Sequence, residues 1–225
     1  MELNFEDVLK NGCTISSSGT TGSPKSIYRS PENLKHCIDT AITAQNLTKN
    51  SSVYTVTRMT HAGGLLLQSL PAYTLGCDIT IEKFNAYSFL KRFKRHTHTF
   101  IAPAMCEALL STKSFKTADL TGKFVAMGSD PIPKHHIQAF IDRGATVLAN
   151  WGMSEIGPCV INKLYKPGDT AEDNILGNTF WCDYRVKENQ LYVKSPMCIH
   201  DDWFATGDLV TYRNKGLYYL GRLDV

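Results

Sequence analysis

The feature that most constrains this chain is a rhythm between residues 53 and 149. Short apolar runs rich in β-branched residues alternate with stretches of helical period. Strands are expected at 53–57, 78–81, 99–102, 124–127 and 146–149. Helices are expected at 65–75 (interrupted by Pro71), 87–95, 104–111 and 134–143. Strand–helix alternation of this kind implies a mainly parallel sheet with helices on its faces. In such sheets, ligands collect at the carboxyl ends of the strands.

Before this region, residues 4–11 read as a short helix and 13–15 as a brief strand. A longer helix follows, with Ser30 as N-cap and Pro31 in its first position. Its apolar stripe is Leu34, Ile38, Ile42 and Leu47. After about residue 158 the chain becomes turn-rich, and short strands are expected at 184–186, 190–193, 209–212 and 217–220. Asn214-Lys215-Gly216 is a hairpin turn in this reading. The expected organisation is an α/β nucleotide-binding subdomain over 1–157 and a small β-rich, distorted barrel-like subdomain over 158–225.

The chain has 225 residues, with 24 basic and 21 acidic side chains. That balance gives no footprint for nucleic acid. The densest basic run, Lys91-Arg92-Phe93-Lys94-Arg95-His96, reads as the solvated face of a helix. Seven cysteines are scattered without a Cys-x-x-Cys pair, so zinc and disulfide frameworks are not expected. The acidic opening Met-Glu-Leu-Asn-Phe-Glu-Asp is no signal peptide, and no stretch suits a bilayer. The expectation is a cytoplasmic protein with no membrane partner.

Chemistry concentrates in Ser16-Ser17-Ser18-Gly19-Thr20-Thr21-Gly22-Ser23-Pro24-Lys25. From Ser17 to Ser23, five hydroxyls and two glycines fall within seven residues. Such a loop can turn N–H groups and hydroxyls onto phosphate oxygens, and Lys25 adds a point charge. On composition alone, a plain surface loop is an equally open reading. The spacing is not that of the common P-loop, because Ser23 and Pro24 separate Gly22 from Lys25.

This run closely resembles the phosphate-loop signature Ser/Thr-Gly-Thr-Thr-Gly-x-Pro-Lys of the adenylate-forming superfamily, which includes acyl-CoA synthetases, luciferase and peptide adenylation domains. Three further segments resemble that family's motifs, in its order. They are Asn150-Trp151-Gly152-Met153-Ser154-Glu155, Trp203-Phe204-Ala205-Thr206-Gly207-Asp208 and Tyr219-Leu220-Gly221-Arg222-Leu223-Asp224. Gly128-Ser129-Asp130-Pro131-Ile132 sits where the family has Gly-Gly-Ala-Pro-Leu, with departures at Ser129 and Asp130. The fold implied is a reduced large domain of the adenylate-forming type.

The resemblance also implies roles. Ser17, Ser18, Gly19, Thr20, Thr21, Gly22 and Lys25 would hold ATP phosphates. Asn150, Trp151, Gly152 and Met153, with Gly128, Ser129 and Asp130, would border the adenine, and the Ser154 hydroxyl would serve the α-phosphate. Glu155 would bind Mg²⁺, because hard cations prefer carboxylate oxygen. Lys25 and Glu155 are thus the catalytic candidates. Asp208 would accept from the ribose hydroxyls, and Arg222 would contact ribose or phosphate. Met59-Thr60-His61-Ala62-Gly63-Gly64 resembles the segment lining the acyl pocket, giving His61, Gly64, Ala102 and Met127 as pocket candidates. Taken singly, each has an ordinary structural reading as core, turn or surface charge.

The implied activity joins a carboxylic acid to the α-phosphorus of ATP, releasing pyrophosphate. Family members carry a large region before the phosphate loop and a small mobile domain after Gly-Arg-x-Asp. Here about fifteen residues precede the loop and Val225 ends the chain. A partner chain or homodimer is therefore expected to complete the site, and transfer to a thiol such as coenzyme A is expected to be weak. The alternative is a binding module for ATP, AMP or acyl-adenylate without turnover.

Overall fold

The computed structural model describes residues 4–17 and 25–223. The chain opens with helix α1 (Phe5–Asn11), capped by the Asn4 side chain, and a hairpin of β1 (Cys13–Ser16) and β2 (Ser26–Arg29). Helix α2 (Pro31–Ala44) starts at Ser30, whose hydroxyl accepts from the Asn33 N–H, with Pro31 in the first turn. Strand β3 (Ser52–Thr55) leads through a π-helical turn at Gly63–Ser69 into α3 (Leu70–Leu75).

Then follow β4 (Asp78–Ile81), α4 (Ala86–Phe93), β5 (His98–Ile101), α5 (Pro103–Leu110), α6 (Lys113–Lys116), β6 (Phe124–Met127), α7 (Lys134–Ile141) and β7 (Thr146–Met153). The chain closes with β8 (Gly157–Tyr165), β9 (Ile175–Gly177), β10 (Thr179–Phe180), β11 (Asp183–Lys187), β12 (Gln190–Lys194), β13 (Phe204–Arg213) and β14 (Gly216–Arg222).

A seven-stranded sheet runs in the order β10-β8-β7-β6-β5-β3-β4. The stretch from β7 to β4 is parallel, as the alternation predicts, and β8 and β10 add antiparallel strands at one edge. The central strands β5 and β6 are buried along their whole length, as parallel strands covered on both faces must be. Alternate residues serve opposite faces. Val125 and Met127 of β6 join a core with Phe89, Phe93 and Phe140, while Phe124 and Ala126 join Ala41, Leu67 and Phe100. A five-stranded antiparallel sheet, β11-β12-β13-β14-β9, forms the second layer. Its Leu191, Val193, Val210 and Leu217 share a core with Leu34 and Ile38 of α2 and Leu65 and Leu66.

Three local expectations are corrected. Residues 157–165, read as the start of a turn-rich region, form a nine-residue strand paired with β7. Pro71 changes the helix rather than ending it: the π-helical turn stops at Ser69 and α3 begins at Leu70 with Pro71 in its first turn, while the Leu67 carbonyl, which a proline four residues on cannot bond, accepts from Gln45 Nε2 at 2.7 Å. Finally, the basic run after Phe89 is not wholly solvated. His96 is buried, stacked on Tyr54 with ring centroids 5.2 Å apart.

Candidate functional site

The segments singled out in the sequence gather where the parallel strands end. Thr57–His61 follows β3, Ala102 follows β5 and Gly128–Ile132 follows β6. Asn150–Met153 is the last part of β7 itself, so this motif lies in a strand rather than in a loop after one. Met153 pairs with Gly157, and Ser154, Glu155 and Ile156 make the turn between β7 and β8.

Two glycines permit the close backbone packing here. A Cβ on Gly152 would lie 2.4 Å from the Gly157 carbonyl oxygen, and one on Gly128 would lie 2.5 Å from that of Asn150. Gly128 therefore brings the turn after β6 against Asn150. The Asn150 Oδ1 is buried beside it with no hydrogen-bond partner among the described residues. Ser129 has φ +82°, a conformation that favours glycine.

The second sheet approaches through Asp208, which is 4% exposed. Its Oδ2 accepts from Trp151 Nε1 at 2.9 Å, and its Oδ1 accepts from Arg222 Nη1 at 2.9 Å. The Thr206 hydroxyl donates to the Leu191 carbonyl and accepts from the Asp208 N–H, which fixes the backbone of the Thr-Gly-Asp segment. Burial pushes the Asp208 carboxyl above its ordinary range, opposed by the Trp151 hydrogen bond and the Arg222 charge. Two of its roughly four lone-pair sites stay available to further donors.

The phosphate-loop candidates Ser18, Gly19, Thr20, Thr21 and Gly22 lie outside the described residues. The ends of that loop are described. The Ser17 N–H donates to the Lys25 carbonyl at 3.0 Å, and the Lys25 N–H donates to Ser17 Oγ at 3.2 Å. The Ser16 N–H reaches the Thr60 carbonyl at 2.8 Å, placing the hairpin beside the His61 segment.

A residue the sequence reading missed joins these pieces. Arg29 is fully buried. Its guanidinium donates to Asn33 Oδ1 at 2.6 Å and to the carbonyls of Met197 and Ser154. Asn33 in turn donates to the Pro196 and Cys198 carbonyls. Arg29 thus ties the β1–β2 hairpin to the turn carrying Glu155. Burial lowers its pKa, countered by nearby Cys37, Cys198, Cys13 and Glu155. Strand alternation could have flagged it, since Arg29 shares a face with buried Ile27.

Glu155 is half-buried, and its carboxylate has no hydrogen-bond partner among the described residues; its backbone carbonyl accepts from Ile199. An open carboxylate suits Mg²⁺, which is commonly held by one or two carboxylates plus substrate phosphates. Asp130 is exposed in the turn after β6.

Of the four expected acyl-pocket residues, His61 borders a cavity of about 170 Å³ shared with Thr57, Arg58, Gly63, Phe100, Met105 and Ser129. Gly64 packs behind it, where a Cβ would lie 2.4 Å from the Arg58 carbonyl oxygen. Met127 is fully buried in the main core beside Cys106, and Ala102 caps α5. Neither borders the cavity. Thr57 Oγ1 has no hydrogen-bond partner among the described residues. Burial, aided by the Arg58 charge, lowers the His61 pKa.

No helix among the described residues is long and apolar enough to cross a membrane. All seven cysteines are free thiols, four of them buried.

The chain is similar to known proteins in both sequence and fold. The chain is 25% identical to an indoleacetate–CoA ligase of Aromatoleum aromaticum, over 90% of this chain and 46% of that protein. It is 22% identical to a feruloyl-CoA synthase of Amycolatopsis, over 90% of this chain and 47% of the relative. The chain thus spans about half the length of the curated relatives it matches. Its fold matches ATP-bound MatB from Rhodopseudomonas palustris with a TM-score of 0.79 at 21% identity, covering 99% of this chain and 49% of that one. It also matches the N-terminal domain of FACL13 from Mycobacterium tuberculosis with a TM-score of 0.78 at 18% identity, covering 93% and 60%. The model of the AMP-binding enzymes matches residues 13–196, and the chain belongs to that family.

Proposed function

We propose that this chain binds ATP with Mg²⁺ and activates a carboxylic acid as its acyl-adenylate. The observation that carries the reading is the convergence of Trp151, Asp208 and Arg222, which come from three separate motifs and meet through two 2.9 Å hydrogen bonds at the carboxyl end of the parallel sheet. In this reading Asn150 offers its unpartnered Oδ1 to the adenine amino group. Trp151 presents an indole face to the ring, with Gly128, Ser129, Asp130, Gly152 and Met153 bordering it, and the Ser154 hydroxyl serves the α-phosphate. Asp208 accepts from ribose and Arg222 steadies Asp208. Residues 17–22 and Lys25 hold the phosphates, and Glu155 holds Mg²⁺, which would neutralise phosphate charge.

The acid lies in the cavity beside His61, Arg58 and Phe100. Its carboxylate oxygen bonds to the α-phosphorus as the bond to pyrophosphate breaks. The work asked of the protein is positioning and charge stabilisation. Two named relatives are CoA ligases or synthases, which supports a thiol acceptor such as coenzyme A. A partner chain or second copy completing the site belongs to the same proposal, as does the division into an α/β unit and a β-rich unit.

The test is ATP–pyrophosphate exchange across a panel of carboxylic acids, beside Lys25→Ala and Glu155→Ala. Acid-dependent exchange that falls at least about 100-fold in either variant is expected. Nucleotide binding by calorimetry with no exchange for any acid would replace the enzyme by a binding module. No nucleotide binding would remove both.

A further inference from the structure

Outside this site, three side chains with metal-ligating atoms meet between α5 and α7. Glu107 lies on α5, and His135 and His136 lie in the first turn of α7. Glu107 Oε2 is 2.9 Å from His136 Nε2 and 3.6 Å from His135 Nε2. One ligand atom from each residue lies within 4.8 Å of the other two. Adjacent helical residues ordinarily diverge by about 100°. Here both imidazoles turn toward one carboxylate oxygen, with ring centroids 4.4 Å apart.

A simple tie between the helices requires only the Glu107–His136 pair; His135 is surplus to it. Around a tetrahedral ion with bonds near 2.0–2.1 Å, ligand atoms stand about 3.3 Å apart. The two oxygen–nitrogen separations bracket that value. The His136 side chain is 4% exposed and so held by its surroundings, whereas those of His135 and Glu107 are 62% and 66% exposed and free to adjust.

We propose that Glu107, His135 and His136 form a binding site for a borderline divalent transition-metal ion such as Zn²⁺. Two imidazoles and one carboxylate select Zn²⁺, Ni²⁺ or Cu²⁺ over Mg²⁺, so the site is chemically distinct from the carboxylate of Glu155. The fourth position faces water. A metal taken by His136 Nε2 obliges the ring to carry its proton on Nδ1, which is buried without an acceptor. Missing outer partners weaken metal sites about 10–100-fold, so this site is weaker than a closed structural one. Occupancy would fasten α5 to α7. Met105 of α5 and Ser129, just before α7, both border the cavity at His61, so the metal would stiffen one wall of that cavity.

The test titrates the full chain with Co²⁺ in excess Mg²⁺ and reads its visible d–d absorption. One equivalent is expected to bind, to be displaced by Zn²⁺, and to show no thiolate-to-metal charge transfer. Glu107→Gln and His135→Gln should each weaken binding at least about 10-fold. The His135 side chain is exposed and 3.6 Å from Glu107, beyond hydrogen-bond distance, so thermal unfolding of His135→Gln without metal should match the parent chain. Equal affinity in the parent and the double variant, no stoichiometric binding, or a thiolate band would each overturn the proposal.

Discussion

The Trp151 indole N–H and the Asp208 carboxylate meet at 2.9 Å, which joins the last parallel strand of the large sheet to the antiparallel sheet. Hydrogen bonds to charged groups contribute about 1.5–3 kcal/mol, and Trp151 is only half-buried, so the lower part of that range applies. Trp151→Phe and Asp208→Asn are expected to couple by about 1 kcal/mol in a double-mutant cycle read by urea denaturation. Additivity within about 0.3 kcal/mol would mean the contact carries no energy. Asp208→Asn is also expected to weaken AMP binding at least about 10-fold, which calorimetry would read.

Arg29 is the residue on which the site's backbone geometry depends most. Arg29→Met keeps much of its volume but leaves the Ser154 and Met197 carbonyls and Asn33 Oδ1 without their donors. Unpaired buried groups cost about 1–3 kcal/mol each, offset in part by relief of the buried charge. A net loss of about 2–4 kcal/mol is expected from chemical denaturation. A loss below about 1 kcal/mol would show that the buried network is dispensable.

Ser129 holds a φ of +82° without being glycine. An L-residue in that region costs about 1–2 kcal/mol, while glycine gives back about 0.4–1 through the entropy of the unfolded chain. Ser129→Gly should therefore stabilise the fold by about 0.5–1 kcal/mol, visible as a raised melting temperature. A lower melting temperature would assign the Ser129 side chain a compensating contact.

Acid should destabilise the fold through buried imidazoles. His98 is 8% exposed, and its Nε2 lies 3.0 Å from the Gln45 carbonyl. Burial outweighs that hydrogen bond and lowers its pKa, and His96 is lowered for the same reason. The folded state then binds fewer protons than the unfolded chain just below the ordinary histidine value of about 6.5. Stability from this source is present above about pH 6.5 and is lost as pH falls through the depressed folded values. Urea midpoints from pH 8 to 5 should fall, and His98→Gln should flatten part of that fall.

The alternation of strands and helices was legible because the central parallel strands β5 and β6 are buried along their whole length and each parallel strand is bounded by turns. The hairpin at Asn214 and Lys215 was legible too, and both residues adopt positive φ. Strand β8 was not. Gly157-Pro158 reads as a breaker, but the strand absorbs it in an irregular register opposite Trp151–Met153, with Cys159 at φ +56°. Pro71 does mark a change from π-helical turn to α-helix, but the continuation was not legible because the partner of the Leu67 carbonyl, Gln45, is distant in the chain and sits on another helix terminus. The motif residues of the candidate site could be found singly. The contact between Trp151 and Asp208 could not, because it depends on how two sheets pack. The apolar wall made by Phe100 and Met105 left no spacing signal, as both follow ordinary core patterns.

The paired hydrogen bonds between Ser17 and Lys25 give the chain a neck at the base of residues 18–24. The closure entropy of that loop is met by the hairpin beneath it, not by any ligand. Ser17→Ala would remove one of the two bonds of that neck, so a substitution at Ser17 acts on how the chain is closed as well as on whatever it recognises.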